Sequence, residues 1–222
     1  AIRWMETHCF HVEGELAPSN LKLELWEKAF VSCIYGIVDL KTKKRVFREV
    51  LLLVGRKNGK SLLASAIANY EFQYGSGFGG RIYNIAPKLE QADIIFGNAW
   101  AMMQLDPEYQ EKKRAVDDLR SQTHNRVDDD ETIPKKRMTD IYIPSTNSTF
   151  KKIAFSAKKS DGFNPSLAIC DEVAAWEGDA GLKQYEVLKS GMGARPEGLL
   201  LSCTSSGYVN DSIFDELMKR AT

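Results

Sequence analysis

The residues best suited to chemistry lie in one stretch, VLLLVGRKNGKSLLAS, which runs from Val50 to Ser65. The apolar run Val50–Val54 predicts a strand, and a helix-forming run begins at Leu62. Backbone N–H groups in the loop between them, with the positive end of the new helix, can bind a polyphosphate. The predicted nucleotide-binding residues of this phosphate loop are Gly55, Arg56, Lys57, Asn58, Gly59, Lys60 and Ser61. Lys60 is expected to reach the outer phosphates, and the Ser61 hydroxyl to coordinate Mg²⁺.

The glycine spacing of this loop is shorter than the general pattern. That pattern places a glycine five positions before Gly59, where this chain has Val54. Gly-Lys-Ser alone is therefore a weak signal, and the prediction depends on partner residues elsewhere in the chain.

The first partner is an acidic pair, Asp171-Glu172, which directly follows the apolar run Leu167–Cys170. Ligands of open α/β sheets bind at the carboxyl ends of the strands. Asp171 is expected to hold Mg²⁺ alongside Ser61, and Glu172 to activate the attacking water. A solvated acidic strand end is the alternative for the pair alone. Its combination with Gly-Lys-Ser favours a Mg²⁺-dependent ATPase.

The second partner is a run of small hydroxyl residues, Thr204, Ser205 and Ser206, after the apolar run Leu199–Cys203. Such residues can sense the γ-phosphate through hydrogen bonds and transmit its presence. Considered alone, they are better explained as a plain Ser/Gly turn, and only the other motifs favour a functional role.

The elements that must position these residues alternate between strand and helix, which predicts a doubly wound α/β fold. Glu49–Val54 is expected to be a central parallel strand that is buried on both faces. The other predicted elements are strands at Arg81–Ala86, Leu167–Cys170 and Leu199–Cys203, a hairpin joining Ile141–Ile143 to Lys151–Phe155, and helices at Ser61–Phe72, Lys88–Gln104, Asp179–Ser190 and Asp211–Ala221.

Two regions are harder to interpret. A helix is predicted to start at Pro18-Ser19-Asn20, and its apolar face is expected to carry Leu23, Trp26, Phe30, Cys33 and Ile34. Residues 105–140 are expected to be a charged surface segment with a short helix over EKKRAVDDLR, and the functional alternative is a contact with a neighbouring subunit or nucleic acid.

Composition sets broad limits on function. A chain of 222 residues suits one large α/β domain, and 30 basic residues balance 30 acidic ones. Any nucleic-acid contact must therefore be a local patch. Apolar runs are too short to cross a membrane, so no membrane partner is expected.

Together these motifs resemble the ATPase domain of the large terminase subunit of tailed double-stranded-DNA bacteriophages. The similar segments are LKLELWEKAF, GRKNGKS, SDGFNPSLAICDE and GMGARPEGLLLSCTSSG, which follow one another between Leu21 and Gly207. The resemblance implies a P-loop NTPase of the additional-strand catalytic glutamate type, with a mostly parallel central sheet flanked by helices. It implies one ATPase domain over residues 1–222, with residues 1–45 on the adenine side.

The resemblance also implies roles for individual residues. Arg56 would act in cis near the γ-phosphate, and Thr204 would begin the motif that couples hydrolysis to movement. Trp26 and Glu27 would lie at the adenine base. Family members often carry glutamine where this chain has Glu27. A carboxylate accepts a hydrogen bond from the adenine amino group but donates none.

The implied partners are double-stranded DNA, the portal protein and the small terminase subunit, in the host cytoplasm and transiently at the procapsid portal. The working motor would be a homo-oligomeric ring, usually a pentamer, and the isolated domain a monomer. Lys158, Lys159 and Arg195 are candidates for a residue that acts on the neighbouring site, and all three can equally be surface charges. The C-terminal nuclease domain of the family is expected to be absent from this chain, so no DNA cleavage is expected. Two alternatives to the motor are a helicase-like ATPase and a non-catalytic, nucleotide-dependent scaffold.

Overall fold

The computed structural model describes residues 1–123, 131–155, 162–176, 178–205 and 212–221. Within these residues, one sheet contains β1 (Glu49–Leu53), β2 (Arg81–Ala86), β3 (Lys135–Lys136), β4 (Asp140–Ile143), β5 (Ser148–Ala154), β6 (Leu167–Asp171) and β7 (Leu199–Thr204). The strand order is β1-β7-β6-β2-β5-β4-β3. In this order, β1, β7, β6, β2 and β5 pair with their neighbours in parallel, whereas β4 pairs antiparallel with both β5 and β3. The predicted hairpin at Ile141–Phe155 is therefore confirmed, and the sheet is mostly parallel.

Helices cover both faces of this sheet. They are α1 (Ile2–His8), α2 (Leu25–Gly36), α3 (Lys60–Tyr70), α4 (Leu89–Leu105), α5 (Pro107–Thr123), α6 (Gly178–Gly191) and α7 (Ile213–Ala221). α3 and α4 pack on one face with Ile82, Ile169 and Leu201, and α6 and α7 pack on the other with Cys170 and Leu200. Successive strand residues therefore face opposite layers, as the strand period of two requires. Both faces are apolar because both are covered.

The strand that leads into the phosphate loop was predicted to be central, but it lies at an edge of the sheet. Among the described strands, β1 pairs only with β7 and forms an edge of the sheet. Leu53 is 44% exposed, and only Leu52 of this strand is fully buried. An apolar run reports low polarity but not the number of neighbouring strands, so the prediction of burial on both faces was wrong.

The N-terminal helix also differs from its prediction. α2 begins at Leu25 rather than near Pro18, because Glu24 and Glu27 form a reciprocal capping box there. Trp26 is 41% exposed and Cys33 is exposed, so neither lies on the buried face. That face carries Val31 and Ile34, together with the carboxyl-bearing Glu27.

The charged region after α4 begins with a surface helix, as predicted. α5 extends over 17 residues, includes the whole EKKRAVDDLR sequence and is exposed along most of its length. Across the described residues, no helix combines the length and apolar character needed to cross a bilayer.

Candidate nucleotide site

The phosphate loop connects the end of β1 to the start of α3. Lys57 and Gly59 both have a positive φ, 64° and 74°, and Gly59 immediately precedes α3. The Asn58 side-chain amide donates to the carbonyls of Gly55 at 3.3 Å and Arg56 at 3.4 Å, which ties the loop together. Residues 55–59 are all exposed. The loop thus presents its backbone and the N-terminus of α3 to solvent, in the arrangement that binds an anion.

The acidic pair lies at the carboxyl end of the fully buried strand β6. Asp171 is the last residue of the strand and is 4% exposed. Glu172 adopts a left-handed conformation, with φ 49° and ψ 47°, which turns the chain sharply after the strand. After this turn the two carboxylates lie in different environments. The Asp171 side chain is 6% exposed, whereas that of Glu172 is 33% exposed.

The Lys60 ammonium joins the phosphate loop to the acidic pair. Its Nζ lies 2.6 Å from Glu172 Oε1 and 3.4 Å from Asp171 Oδ1. The structure therefore brings together three residues that were predicted from motifs over 100 positions apart.

The charges in this cluster influence one another. Burial raises the pKa of Asp171, and the neighbouring Lys60 only partly offsets that effect. Burial opposes the positive charge on Lys60, but its hydrogen bond to Glu172 and the two acidic charges outweigh burial and raise the pKa of Lys60. Lys60 therefore stays an ammonium, and Asp171 is a buried carboxyl that a further cation would stabilise.

The predicted magnesium ligands are oxygen donors, the ligand type that a hard cation prefers. The Ser61 hydroxyl and the Asp171 carboxylate are oxygen donors, and Mg²⁺ typically takes one or two protein oxygens besides water and phosphate. Among the described residues, no group of three or more His, Cys, Asp or Glu residues could form a metal cage.

A residue that the sequence analysis missed supports the acidic turn. The Trp176 indole donates to the Asp171 carbonyl at 3.1 Å, and its side chain is almost fully buried at 1% exposure. The Ala175 N–H also donates to the Glu172 carbonyl at 2.8 Å. The signal in the sequence was a tryptophan five residues after the strand end, but its role depends on a tertiary contact.

Thr204 links the phosphate loop to the neighbouring strand. Its carbonyl accepts the Val54 N–H at 3.2 Å, and it pairs with Leu53 in register. The Thr204 hydroxyl is buried and has no hydrogen-bond partner among the described residues. Ser205 follows in a bend, whereas Ser206 lies outside the described residues.

The predicted adenine-side residues lie in the first turn of α2, next to the loop. Glu27 Oε1 is 3.5 Å from the position that a Cβ atom on Gly59 would occupy. Glu27 Oε2 accepts the Glu24 N–H at 2.8 Å. Trp26 beside it remains 41% exposed, which leaves its ring accessible to a ligand.

The basic residues predicted to act near the γ-phosphate lie in different parts of the chain. Arg56 is exposed in the phosphate loop. Arg195 precedes β7, at the opposite end of the sheet, and donates to Asn164 Oδ1 at 3.0 Å and to the Gly79 carbonyl at 2.8 Å. Arg195 therefore has no part in the site of its own chain. Lys158 and Lys159 lie outside the described residues.

The fold and site together define a class of protein. The strand that carries the phosphate loop and the strand that carries the acidic pair are separated by one further parallel strand, β7. This is the architecture of a P-loop NTPase of the additional-strand catalytic glutamate type.

Comparison with known proteins identifies the family. The sequence model of the terminase large subunit ATPase domain matches residues 25–222, and the chain belongs to this family. The terminase large subunit of Lactococcus phage p2 is 26% identical over 99% of the chain, and that of Enterobacteria phage HK97 is 26% identical over 95%. The chain spans 37% of the length of each of these relatives.

A solved structure shows the same fold. The crystal structure of the HK97 large terminase superimposes with a TM-score of 0.70 at 22% identity, and the match covers 99% of this chain and 41% of that one. The predicted fold class and family are thus confirmed.

Proposed function

We propose that this chain is the Mg²⁺-dependent, ATP-hydrolysing motor domain of a viral DNA-packaging terminase. It would couple ATP hydrolysis to the translocation of double-stranded DNA into a procapsid. The observation that carries the proposal is the contact of Lys60 with Glu172 at 2.6 Å, which joins a phosphate loop to a water-activating acid. Membership of the terminase ATPase family supports the choice of substrate and process.

The residues divide the chemistry between them. Lys60 binds the outer phosphates, and Glu172, freed from Lys60, accepts a proton from the attacking water. Arg56 lies within the loop and supplies a second positive charge toward the γ-phosphate. Ser61 and Asp171 would hold Mg²⁺, which would neutralise phosphate charge.

Coupling to movement uses the strand between the two halves of the site. Thr204 accepts the Val54 N–H through its carbonyl, and its buried hydroxyl is not otherwise engaged among the described residues. A change in the phosphate loop after hydrolysis therefore reaches β7 directly. We assign Thr204 and the following Ser205 and Ser206 to this coupling role.

The partners follow from the proposed process. They are double-stranded DNA, the portal protein and the small terminase subunit, in the host cytoplasm and transiently at the procapsid portal. In the working motor, copies of the chain form a ring, and a positive residue of one copy completes the site of the next. Arg195 would have to exchange its hydrogen bonds with Asn164 and Gly79 to do so. Lys158 and Lys159 lie outside the described residues and remain candidates beside Arg195.

The decisive experiment is an assay of phosphate release from ATP by a longer protein containing this chain. It compares the protein alone with samples that contain double-stranded DNA, portal-bearing procapsids, or both, with and without Mg²⁺. Stimulation by DNA and procapsids, lost in Lys60→Ala, is expected. Activity that ignores Mg²⁺, or that stays at the basal level whatever is added, would contradict a packaging motor.

A further inference from the structure

Glu27 is a buried residue whose carboxyl group lies beside the phosphate loop. The residue is 8% exposed, and its Oε1 lies 3.5 Å from the position of a Cβ atom on Gly59. Its other oxygen is fixed by the Glu24 N–H at 2.8 Å, as part of the capping box of α2. The capping contact therefore directs Oε1 toward the loop that receives the phosphates.

Among the described residues, Glu27 forms no ion pair that would compensate its charge. On its own helix, Glu24 is acidic, and Lys28 pairs with Glu6 of α1 at 2.9 Å. Within the described residues, Glu27 has no basic side chain within 4 Å. The neighbouring loop contributes three basic residues, Arg56, Lys57 and Lys60, and the last of these is held by Glu172 and Asp171.

Resting on the function proposed above, we propose that Glu27 takes up a proton from solvent when a nucleotide binds at the phosphate loop. Nucleotide phosphates bound by the N–H groups of this loop bring net negative charge near the buried carboxyl, even with Mg²⁺ bound. Like charges disfavour the ionised acid, so the bound state favours the neutral form. The proton goes to Oε1, because Oε2 already accepts a backbone hydrogen bond.

The free protein is already biased toward this proton. Burial raises the pKa of Glu27, and the charge of Glu24 raises it further, whereas the hydrogen bond from the Glu24 backbone lowers it. The negative charge of the bound nucleotide raises the pKa of Glu27 further. Because the bound state then holds more protons than the free state, nucleotide affinity falls as pH rises through this range. The fall in affinity is about tenfold for each pH unit of difference between the pKa values of Glu27 in the two states.

The test measures Mg²⁺-ADP binding by calorimetry between pH 5 and 8, in buffers of different ionisation enthalpy. The heat difference between buffers gives the number of protons taken up. Glu27→Gln keeps the side-chain shape and the acceptor for the Glu24 N–H but does not titrate. Glu24→Gln is the matched control, because it removes a neighbouring charge and leaves Glu27 in place.

The wild type is expected to take up more protons than Glu27→Gln, with a difference approaching one near the middle of the range. Its affinity should fall more steeply with pH than that of Glu27→Gln, and Glu24→Gln should shift the proton uptake to lower pH. Equal proton numbers and parallel pH profiles in the wild type and Glu27→Gln would overturn the inference. If the wild type does not bind Mg²⁺-ADP at any pH, the proposed function fails instead.

A direct measurement decides the matter if Glu27→Gln does not fold. The ¹³C resonance of the Glu27 carboxyl in the wild type is titrated with and without Mg²⁺-ADP. A higher midpoint with nucleotide is expected, and an unchanged or lower midpoint overturns the inference.

Discussion

The ion pair between Lys60 and Glu172 predicts two opposite effects of one substitution. Glu172→Gln keeps the side-chain shape but removes both the negative charge and the base. Turnover should fall roughly 10²–10⁴-fold, because the attacking water loses its proton acceptor. Nucleotide binding should strengthen, because Lys60 no longer has to leave a carboxylate before it binds a phosphate.

The gain in affinity can be bounded from the geometry. At 2.6 Å, two unit charges attract by about 1.6 kcal/mol in bulk water and about 6 kcal/mol at an effective dielectric constant of 20. The Glu172 side chain is 33% exposed, so solvent screening and side-chain ordering offset most of this attraction. A net value of about 1 kcal/mol is appropriate for a pair at the protein surface. This corresponds to roughly fivefold tighter binding of Mg²⁺-ADP, since about 1.4 kcal/mol is tenfold.

The assay pairs phosphate release at saturating ATP with calorimetric titration of Mg²⁺-ADP. Glu111→Gln is the matched control, since it makes the same chemical change on an exposed position of α5. Wild-type turnover in Glu172→Gln would refute the role of Glu172 as base. Reduced turnover together with weaker nucleotide binding would refute the competition between Glu172 and phosphate for Lys60.

Three further substitutions test the site and its support. Lys60→Ala should weaken Mg²⁺-ADP binding about tenfold or more through the loss of charge-assisted hydrogen bonds, and unchanged affinity by calorimetry would argue against the phosphate loop. Asp171→Asn should abolish Mg²⁺-dependent turnover yet stabilise the nucleotide-free protein at pH 7. Burial raises the pKa of Asp171, so the wild type loses stability as pH rises from the unfolded value of 3.8 through the folded value. The Tm of Asp171→Asn should therefore exceed that of the wild type at pH 7, and this difference should vanish in acid. A lower Tm of Asp171→Asn at pH 7 would contradict this. Gly191→Ala should destabilise the fold by about 1–3 kcal/mol, because its Cβ would lie 2.4 Å from the Phe163 carbonyl oxygen. Gly193→Ala is the control, since nothing lies within 4 Å of its Cβ position; equal melting temperatures for the two variants would sink this argument.

The chemical motifs were accessible from the sequence because each one is local. A strand, a glycine-bearing loop and a helix must be contiguous to form a phosphate loop, so GRKNGKS could be recognised around Lys60. Asp171 and Glu172 follow an apolar run directly, and the carboxyl edge of a parallel sheet then predicts their location. The capping box of α2 was also readable, as Glu24 and Glu27 are three positions apart, but the helix start was assigned too early.

The placement of the elements relative to one another could not be read in the same way. The apolar run of β1 is compatible with a central or an edge strand, and pairing with β7 alone exposed Leu53. Trp26 satisfies the helical spacing of a core residue but is 41% exposed. Periodicity reports which residues share a face, not what covers that face.

The sequence by itself determined the parts of the site: a loop that presents N–H groups, a lysine, two carboxylates and a run of small hydroxyl residues at the end of a strand. These depend on backbone conformation over a few consecutive residues. Only the tertiary structure decided that Lys60 meets Glu172, that Trp176 supports Asp171, and that a buried Glu27 lies beside Gly59. Those contacts depend on strand order and helix packing, which sum many weak interactions between residues far apart in the chain.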